Sequence, residues 1–240
     1  MKYAIIAAGE GSRLSNEGIA LPKPLVPLCG QPMIERLLRL FLKQNAEEVV
    51  IVVNDLNLEP QQYLRRLMQQ HPTWPLRLVV ATTPSSMHSF AALAPYLAEG
   101  PFVLTTVDTI FLEADFSRYI AAFQEALAEG KDGVMAVTDY IDDEKPLYIS
   151  TDEQERILGF HDERTANCHF ISGGIYGLTP RALPTLQRCL REGQSRMRNF
   201  QRALIADGLW LTAHRFSKIL DVDHASDLEK AEAFLNSAPK

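Results

Sequence analysis

The sequence predicts an α/β fold in which helices cover both faces of a mostly parallel central sheet. Two short apolar runs, 3–8 and 49–53, have the continuous hydrophobicity of strands that are buried on both sides. Between them, residues 32–44 place their apolar side chains on one face of a helix. Strand and helix signals continue to alternate as far as residues 102–107. Repeated units of this kind build a parallel sheet.

The remaining elements follow in chain order. The first half is completed by predicted helices at 61–68 and 86–97 and by strands at 76–81 and 102–107. Beyond residue 133 we expect strands at 134–138, 170–178 and 209–214, a small β-hairpin insertion at 147–150 and 156–160, and helices at 180–190, 199–206 and 226–235. No repeat or long linker divides the chain, so we expect one domain, 1–240, built from the halves 1–133 and 134–240.

Composition excludes several classes of protein. Of 240 residues, 46% are hydrophobic, which suffices for a large core, and the net charge of -6 lacks the basic surplus of nucleic-acid-binding proteins. No apolar run is long enough for a transmembrane helix, so no membrane partner is expected. The apolar N-terminus enters a polar loop directly, which favours a buried strand over a signal peptide. Cys29, Cys168 and Cys189 lack metal-type spacing, which favours a cytoplasmic protein with small buried thiols.

A glycine loop directly after the first strand carries the strongest functional signal. Gly9 and Gly11 allow the backbone to turn tightly, so that N–H groups can point at phosphate oxygens. Arg13 can bind a phosphate through two N–H groups, and Lys23 adds a mobile positive charge. The alternative is a tight turn with two surface cations. A dinucleotide fingerprint fits poorly because Leu14 stands where its third glycine belongs, and the P-loop pattern is absent.

Two motifs follow one another over residues 9–35. They read Gly9-x-Gly11-x-Arg13-Leu14 and Pro22-Lys23-Pro24-Leu25-Val26-Pro27-Leu28-x-Gly30-x-Pro32-Met33-Ile34-Glu35. Together they resemble the signature of the sugar-phosphate nucleotidyltransferase superfamily, which includes NDP-sugar pyrophosphorylases, cytidylyltransferases and molybdopterin guanylyltransferases. The resemblance implies a Rossmann-like, GT-A-like nucleotidyltransferase fold, with 1–133 as the nucleotide-binding half and 134–240 as the acceptor-binding half.

The resemblance also implies roles for the loop. Nucleotide contacts fall to Ala7, Ala8, Gly9 and Gly11. Arg13 would hold the outer phosphates of an NTP, and Lys23 would hold the α-phosphate. These roles agree with the chemistry, because attack by an acceptor phosphate on the α-phosphorus brings two anions together. Such a reaction needs positive charge and alignment more than it needs a protein nucleophile.

Three aspartates are candidate ligands for Mg²⁺. Asp108 ends the apolar strand 102–107, and the carboxyl ends of parallel strands are where such sheets bind ligands. The resemblance places one magnesium-binding aspartate there and another just before the last helix, where Asp221 and Asp223 stand. Both are expected to alternate along one strand and to face the same side. Asp221 is the preferred ligand, because Leu220-Asp221 best matches the apolar-Asp step of the sugar-type pattern. Asp223 better matches the cytidylyltransferases for acidic sugars and is the alternative.

Further positions are expected to contact the nucleotide or the acceptor. Ser85 and Ser86 open the helix 86–97 near the nucleotide, although an ordinary helix cap is an equal alternative. Gly173 and Gly174 resemble the segment that lets an acceptor approach the backbone. The Glu-Lys-Pro motif that many sugar pyrophosphorylases carry after the hairpin is missing. Lys218 is the expected replacement, and Glu144-Lys145-Pro146, which precedes the hairpin, is interpreted as a coincidence.

The resulting hypothesis is a magnesium-dependent enzyme that transfers a nucleoside monophosphate from an NTP to a phosphorylated small molecule, in the first place a sugar 1-phosphate. One alternative is a cytidylyltransferase for a phosphorylated alcohol such as choline phosphate. Another is a nucleotide-binding regulatory domain without catalysis, which the joint presence of Arg13, Lys23, Asp108 and Asp221 argues against. The base, the acceptor and a possible homo-oligomer are left open.

Overall fold

The computed structural model describes residues 1–142 and 145–237. The strands are β1 (Lys2–Ala7), β2 (Pro27–Leu28), β3 (Gln31–Pro32), β4 (Glu48–Val53), β5 (Leu76–Val80), β6 (Phe102–Thr106), β7 (Thr109–Ile110), β8 (Gly133–Thr138), β9 (Tyr148–Thr151), β10 (Ile157–His161), β11 (Cys168–Leu178), β12 (Leu211–Arg215) and β13 (Leu220–Asp221). The helices are α1 (Ser12–Asn16), α2 (Met33–Lys43), α3 (Leu58–Gln70), α4 (Ser86–Leu97), α5 (Glu113–Ala128), α6 (Ala182–Arg191), α7 (Met197–Ala206) and α8 (Ala225–Asn236).

The central sheet is parallel through its first half. Strands β6, β1, β4 and β5 lie side by side in that order, and every neighbouring pair is parallel. Strand β11 then runs antiparallel to β6 and leads to the β9–β10 hairpin at the edge of the sheet. The same long strand also pairs with β8, which is parallel to β12. The expected α/β fold with its hairpin insertion is therefore confirmed.

Alternate residues of the central strands enter two separate hydrophobic cores. In β1, Tyr3 and Ile5 face a core formed with α2, α3, α5 and α8. Ala4 and Ile6 face the opposite core, which is formed with α4, α6 and α7. All four side chains are buried, which explains why β1 reads as a continuous apolar run rather than an alternating one.

Each expected strand and helix of the main fold is present, with ends shifted by at most three residues. The 16-residue helix α5 was not among the predicted elements. Its signal was available, because Phe116, Tyr119, Ile120 and Phe123 repeat at helical spacing, and all four are buried in the first core. None of the helices in the described ranges is both long and apolar enough to cross a membrane.

The cysteine prediction is wrong for one residue. Cys168 and Cys189 are buried, but Cys29 is exposed. It lies in the tight turn between β2 and β3 with φ of 50°, and its backbone N–H donates to Glu232 on α8 at 2.7 Å. A turn held at the surface in this way cannot bury the side chain at its tip.

We expect His214 to make unfolding pH-dependent. Burial among Tyr119 and Phe216 lowers the pKa of His214 in the folded protein from the usual value near 6.5. The unfolded chain therefore binds the extra proton first, so this contribution to stability is complete above about pH 6.5 and is lost as the pH falls below it. The measurement is urea unfolding of wild type and His214→Gln between pH 8 and pH 5. A stability difference that stays constant over this range would contradict the prediction.

Candidate functional site

A cavity of about 420 Å³ lies at the carboxyl ends of the parallel strands, next to the glycine loop. We call it the loop cavity. Its walls come from the segments that follow β1, β4, β5 and β6, which are distant in sequence but meet at one edge of the sheet. Many of the predicted site residues line it together: Ala7, Ala8, Gly9, Gly11, Arg13, Lys23, Ser85, Ser86, Asp108 and Asp223.

Three charged side chains of the loop cavity, those of Lys23, Asp108 and Asp223, contact one another. The Lys23 ammonium lies 2.5 Å from Asp108 Oδ2 and 2.8 Å from Asp223 Oδ1. Arg13 reaches the other oxygen of Asp223 at 2.8 Å from a more exposed position. Burial by itself lowers the pKa of Lys23, but Asp108 and then Asp223 outweigh this effect, and the pKa is raised. Lys23 therefore stays charged although only 11% of its side chain is exposed.

A two-stranded antiparallel sheet brings the two aspartates together. Strand β13 pairs with β7, which directly follows Asp108, and the Val222 N–H donates to the Asp108 carbonyl at 3.1 Å. Asp223 is thereby held beside Asp108 although the two are far apart in the chain. Asp227 on α8 fixes the turn further by accepting from the N–H of Asp223 at 3.2 Å.

Glu17, at the end of α1, binds the turn between β13 and α8 and so connects that turn to the segment that follows the glycine loop. Its role is not evident from the sequence. One carboxylate oxygen lies 2.6 Å from His224 Nδ1, and the other accepts from the Ala225 N–H at 2.6 Å. The hydrogen bond to Glu17 raises the pKa of His224, and the same bond lowers the pKa of Glu17. The pairing joins residues more than 200 positions apart, so no local sequence pattern could have indicated it.

Gly11 permits the close approach of Lys23 to the loop. Gly11 precedes α1 and has φ of 64°, a backbone conformation that residues other than glycine rarely adopt. A Cβ atom at Gly11 would lie 2.8 Å from Lys23 Cβ. The conformation and the contact both require glycine, so this position also has a structural role.

Ser85 has the helix-capping role that is the alternative to nucleotide contact. Ser85 Oγ accepts from the His88 N–H at the start of α4, at 3.4 Å, and lies 2.8 Å from His88 Nδ1. Both Ser85 and Ser86 nevertheless line the loop cavity. A helix cap and a contact with a bound molecule are therefore compatible at this position.

A second cavity of about 390 Å³ adjoins the first and shares Arg13 and Asp223 with it. We call it the C-terminal cavity, because the turn between β13 and α8 forms one wall. Gly173 and Asp221 line it, and so do Lys145 and Lys230. Lys145 belongs to the segment that was interpreted as a coincidence, and its neighbour Glu144 lies outside the described residues.

The structure places Lys218 against two aromatic rings. Its ammonium lies 3.9 Å from the ring centre of Tyr140 and 5.3 Å from that of Phe234. Tyr140 lines the C-terminal cavity, but Lys218 is not among the described residues that line either cavity. The side chain is therefore held against aromatic faces. Lys145 and Lys230 are the lysines placed at the C-terminal cavity.

The paired glycines also have a structural explanation. The register of β11 against β8 shifts between Ser172 and Tyr176, so Gly173 and Gly174 lie in a β-bulge. A side chain at Gly173 would overlap Ile219, and Gly174 has φ of 72°. Gly173 lines the C-terminal cavity, whereas Gly174 is not among the described residues that line it.

The expected strand through Asp221 and Asp223 is wrong in part. Strand β13 ends at Asp221, and the chain then turns toward α8. Both carboxylates line the C-terminal cavity, but only Asp223 also lines the loop cavity and contacts Lys23. Within residues 1–142 and 145–237, no group of three or more His, Cys, Asp or Glu side chains is arranged to hold a metal ion. Asp108 and Asp223 are a pair that converges on one ammonium.

The sequence profile of the MobA-like NTP transferase domain matches residues 3–206. The chain belongs to this family. The matched range includes the glycine loop, Lys23 and Asp108, while the turn that carries Asp223 lies beyond it. The transferase domain thus completes its charged cluster with a residue from outside the matched range.

Curated relatives are similar at low identity. The CMP-5'-(3-aminopropyl)phosphonate synthase of Streptomyces rubellomurinus is 27% identical over an alignment that covers 100% of this chain and 39% of that protein. The mannose-1-phosphate guanyltransferase of Schizosaccharomyces pombe is 26% identical over 78% of this chain and 52% of its own length. The chain thus spans about two fifths to one half of these two relatives.

Solved structures share the fold. The inositol-1-phosphate CTP transferase from T. maritima superposes with a TM-score of 0.78 and 17% identity, covering 98% of this chain and 97% of that one. A protein assigned provisionally as a glucose-1-phosphate thymidylyltransferase, from Bacillus anthracis, gives a TM-score of 0.83 at 16% identity, covering 100% and 97%. At these identities the likeness establishes the architecture of the transferase domain.

We expect Gly11→Ala to destabilise the transferase domain, because the left-handed backbone and the contact with Lys23 both oppose a Cβ atom. The left-handed conformation alone costs about 1–2 kcal/mol. Gly9→Ala is the matched control, since a Cβ there meets nothing within 4 Å, and its effect is expected to stay within about 0.5 kcal/mol. Urea unfolding of both variants provides the comparison, and equal stabilities would contradict the role given to Gly11.

Proposed function

We propose that this domain transfers a nucleoside monophosphate from an NTP to a small acceptor that carries a phosphate or phosphonate group. An acceptor oxygen forms a bond to the α-phosphorus as the bond from that phosphorus to the β-bridging oxygen breaks, and pyrophosphate leaves. The observation that carries the proposal is that Arg13 and Asp223 line both the loop cavity and the C-terminal cavity, and that Lys23, in the loop cavity, contacts the same Asp223. A nucleotide in the first cavity and an acceptor in the second would meet at these cations.

The chain's own residues then act by charge and position. Lys23 would bind the α-phosphate and Arg13 the outer phosphates, so that positive charge lies where negative charge accumulates during the transfer. The backbone of the glycine loop and the cap at Ser85 would hold the nucleotide. Holding both reactants at neighbouring cavities removes much of the entropic barrier to their reaction. No covalent intermediate with the protein is required.

The donor set suits Mg²⁺. Asp108 and Asp223 provide carboxylate oxygens, the ligands that this hard cation prefers, and both point at the same small volume around the Lys23 ammonium. We propose that these two residues hold Mg²⁺ with the NTP, and the ion would neutralise phosphate charge. Asp221, on the side of the C-terminal cavity, is then the less suitable candidate.

The leading acceptor class is a sugar 1-phosphate. A second candidate is cytidylyl transfer to another phosphorylated or phosphonylated small molecule, because two of the similar proteins that align over nearly the whole chain are a CMP-phosphonate synthase and a CTP transferase. We further propose that 1–240 acts as one domain, with the nucleotide in the half 1–133 and the acceptor in the half 134–240. The free cysteines in the structure suit a reducing, cytoplasmic setting.

Pyrophosphate release tests the proposed function directly. Purified protein is mixed with Mg²⁺ and each of the four NTPs, in combination with sugar 1-phosphates, inositol 1-phosphate, choline phosphate and aminoalkylphosphonates. Pyrophosphate that depends on both substrates supports the transfer and identifies the base and the acceptor. Binding of NTP without pyrophosphate release for any pair would instead favour a regulatory nucleotide-binding domain.

Lys23→Met is expected to lower kcat/KM for the NTP by about tenfold to a hundredfold, because one charge-assisted hydrogen bond contributes about 1.5–3 kcal/mol. Arg39→Met is the matched control, since Arg39 pairs with Glu35 on α2. Circular dichroism would verify that both variants fold. Unchanged turnover of a folded Lys23→Met protein would remove Lys23 from the proposed reaction.

The three aspartates are expected to differ in their effect on the magnesium requirement. Asp108→Asn and Asp223→Asn should each raise the Mg²⁺ concentration for half-maximal turnover, because each removes a carboxylate that converges on Lys23. Asp221→Asn should keep the wild-type requirement. Titration of Mg²⁺ at saturating NTP measures the difference. The assignment is reversed if Asp221→Asn raises the requirement and Asp223→Asn leaves it unchanged.

A further inference from the structure

A third cavity, about 710 Å³ in volume, lies between the β9–β10 hairpin and the start of α7. We call it the arginine pocket, and it is lined by Lys145, Pro146, Tyr148, Asp162, Arg196, Arg198, Asn199 and Arg202. None of these residues except Lys145 lines the two cavities described above, as far as the described residues define them. The pocket is therefore a separate feature that the proposed transfer does not explain.

The charge of the arginine pocket is opposite to that of the whole chain. The described residues of its lining include four cationic side chains and one carboxylate, which sum to a formal charge of +3, whereas the chain as a whole has a net charge of -6. A concave surface lined by one sign of charge concentrates its field and attracts ions of the opposite sign. In an acidic protein, such a concentration of arginines in one cavity is suited to an anion.

Two of the arginines are already fixed in place. Asp162 binds Arg198 at 2.6 Å and Arg202 at 2.7 Å, one with each carboxylate oxygen. Arg198 also donates to the Lys145 carbonyl at 2.9 Å, and Arg202 to the Phe160 carbonyl at 3.1 Å. Each guanidinium has five N–H donors, so these contacts orient the side chains and leave N–H groups for a ligand. Preorganised guanidinium groups bind phosphate and carboxylate oxygens with good geometry.

Arg196 adds a cation that pairs with none of the described carboxylates. Arg196 directly precedes α7, and its side chain is exposed. It forms no ion pair with any residue in the described ranges. Among the described residues that line the pocket, Asp162 is the one carboxylate beside Arg196, Arg198 and Arg202. A bound oxyanion would supply the negative charge that balances these arginines.

The arginine pocket is also connected to the acceptor side of the molecule. Lys145 lines both the C-terminal cavity and the arginine pocket, so the two share one wall. The two cavities are therefore neighbours, close enough for a charged group of a molecule in one to be near the arginines of the other. A free oxyanion can also enter from solvent, since Asp162 and Arg196 are both exposed.

We propose that the arginine pocket binds a phosphate-type oxyanion through Arg196, Arg198 and Arg202. The anion is either a second charged group at the far end of the acceptor or a separate small phosphate-bearing molecule. Binding of the oxyanion itself does not depend on the proposed function. Only the assignment of the anion to the acceptor rests on it.

The binding test uses inorganic phosphate as the probe, with sodium chloride at equal ionic strength as the reference. The Arg13→Gln background weakens competing phosphate binding in the loop cavity. In this background, Arg196→Gln is expected to weaken phosphate binding about fivefold, as measured by calorimetry, the upper range for one exposed charge pair. Arg191→Gln, an exposed arginine at the end of α6, is the matched control and should bind as the background does.

Two outcomes would overturn the proposal. One is phosphate binding no tighter than chloride binding in the Arg13→Gln background. The other is equal affinity of the proteins with and without Arg196→Gln. Because Arg196 is exposed and forms none of the fixing contacts around Asp162, its replacement is expected to leave the fold intact. Pyrophosphate release by Arg196→Gln alone, measured separately, shows that the proposed function can survive even if this proposal fails.

Turnover kinetics distinguish the two sources of the anion. If the acceptor supplies it, inorganic phosphate should compete with the acceptor, and Arg196→Gln should raise the acceptor KM without changing the KM for the NTP. If a separate molecule supplies it, phosphate should alter kcat and leave the acceptor KM unchanged, and Arg196→Gln should abolish that response. Either result supports the site. A response to phosphate that is identical in Arg196→Gln and Arg191→Gln would contradict it.

Discussion

The arrangement of the candidate site depends on one buried ammonium. Lys23 can remain charged at 11% exposure only because two carboxylates compensate for its lost hydration. Asp108 is closer and less exposed than Asp223, so solvent screens its attraction less, and it has the larger effect on the pKa of Lys23. This single interaction joins the loop after β1, the end of β6 and the turn before α8.

The surrounding structure serves to hold these charges at fixed positions. The short β7–β13 sheet sets the separation between Asp108 and Asp223, and Glu17 fixes the turn from the other side. Such bracing matters because two neighbouring carboxylates repel one another wherever a cation does not lie between them. The same constraint explains the glycine at position 11, since a side chain there would displace Lys23.

The fold was predictable because its signals are local. Continuous apolar runs identified the strands that are covered on both faces, and one-sided apolar spacing identified most helices. Helix α5 was missed although Phe116 and Tyr119 give it the same spacing. The strand expected through Asp221 and Asp223 was wrong because a two-residue strand is fixed by its partner β7, not by its own pattern. The surroundings of Lys218 could not be predicted for a related reason, since they depend on contacts with Tyr140 and Phe234.

The sequence by itself determined the α/β layers, the glycine loop and the candidate cations, because strand burial and tight turns depend on neighbouring residues. Only the tertiary structure decided which carboxylates share Lys23, which lysines line the C-terminal cavity, and that Asp162 binds two arginines of α7 in one pocket. The physical reason is that charge–charge contacts act between segments that folding brings together. Sequence separation carries no information about the distance of 2.8 Å between Lys23 and Asp223.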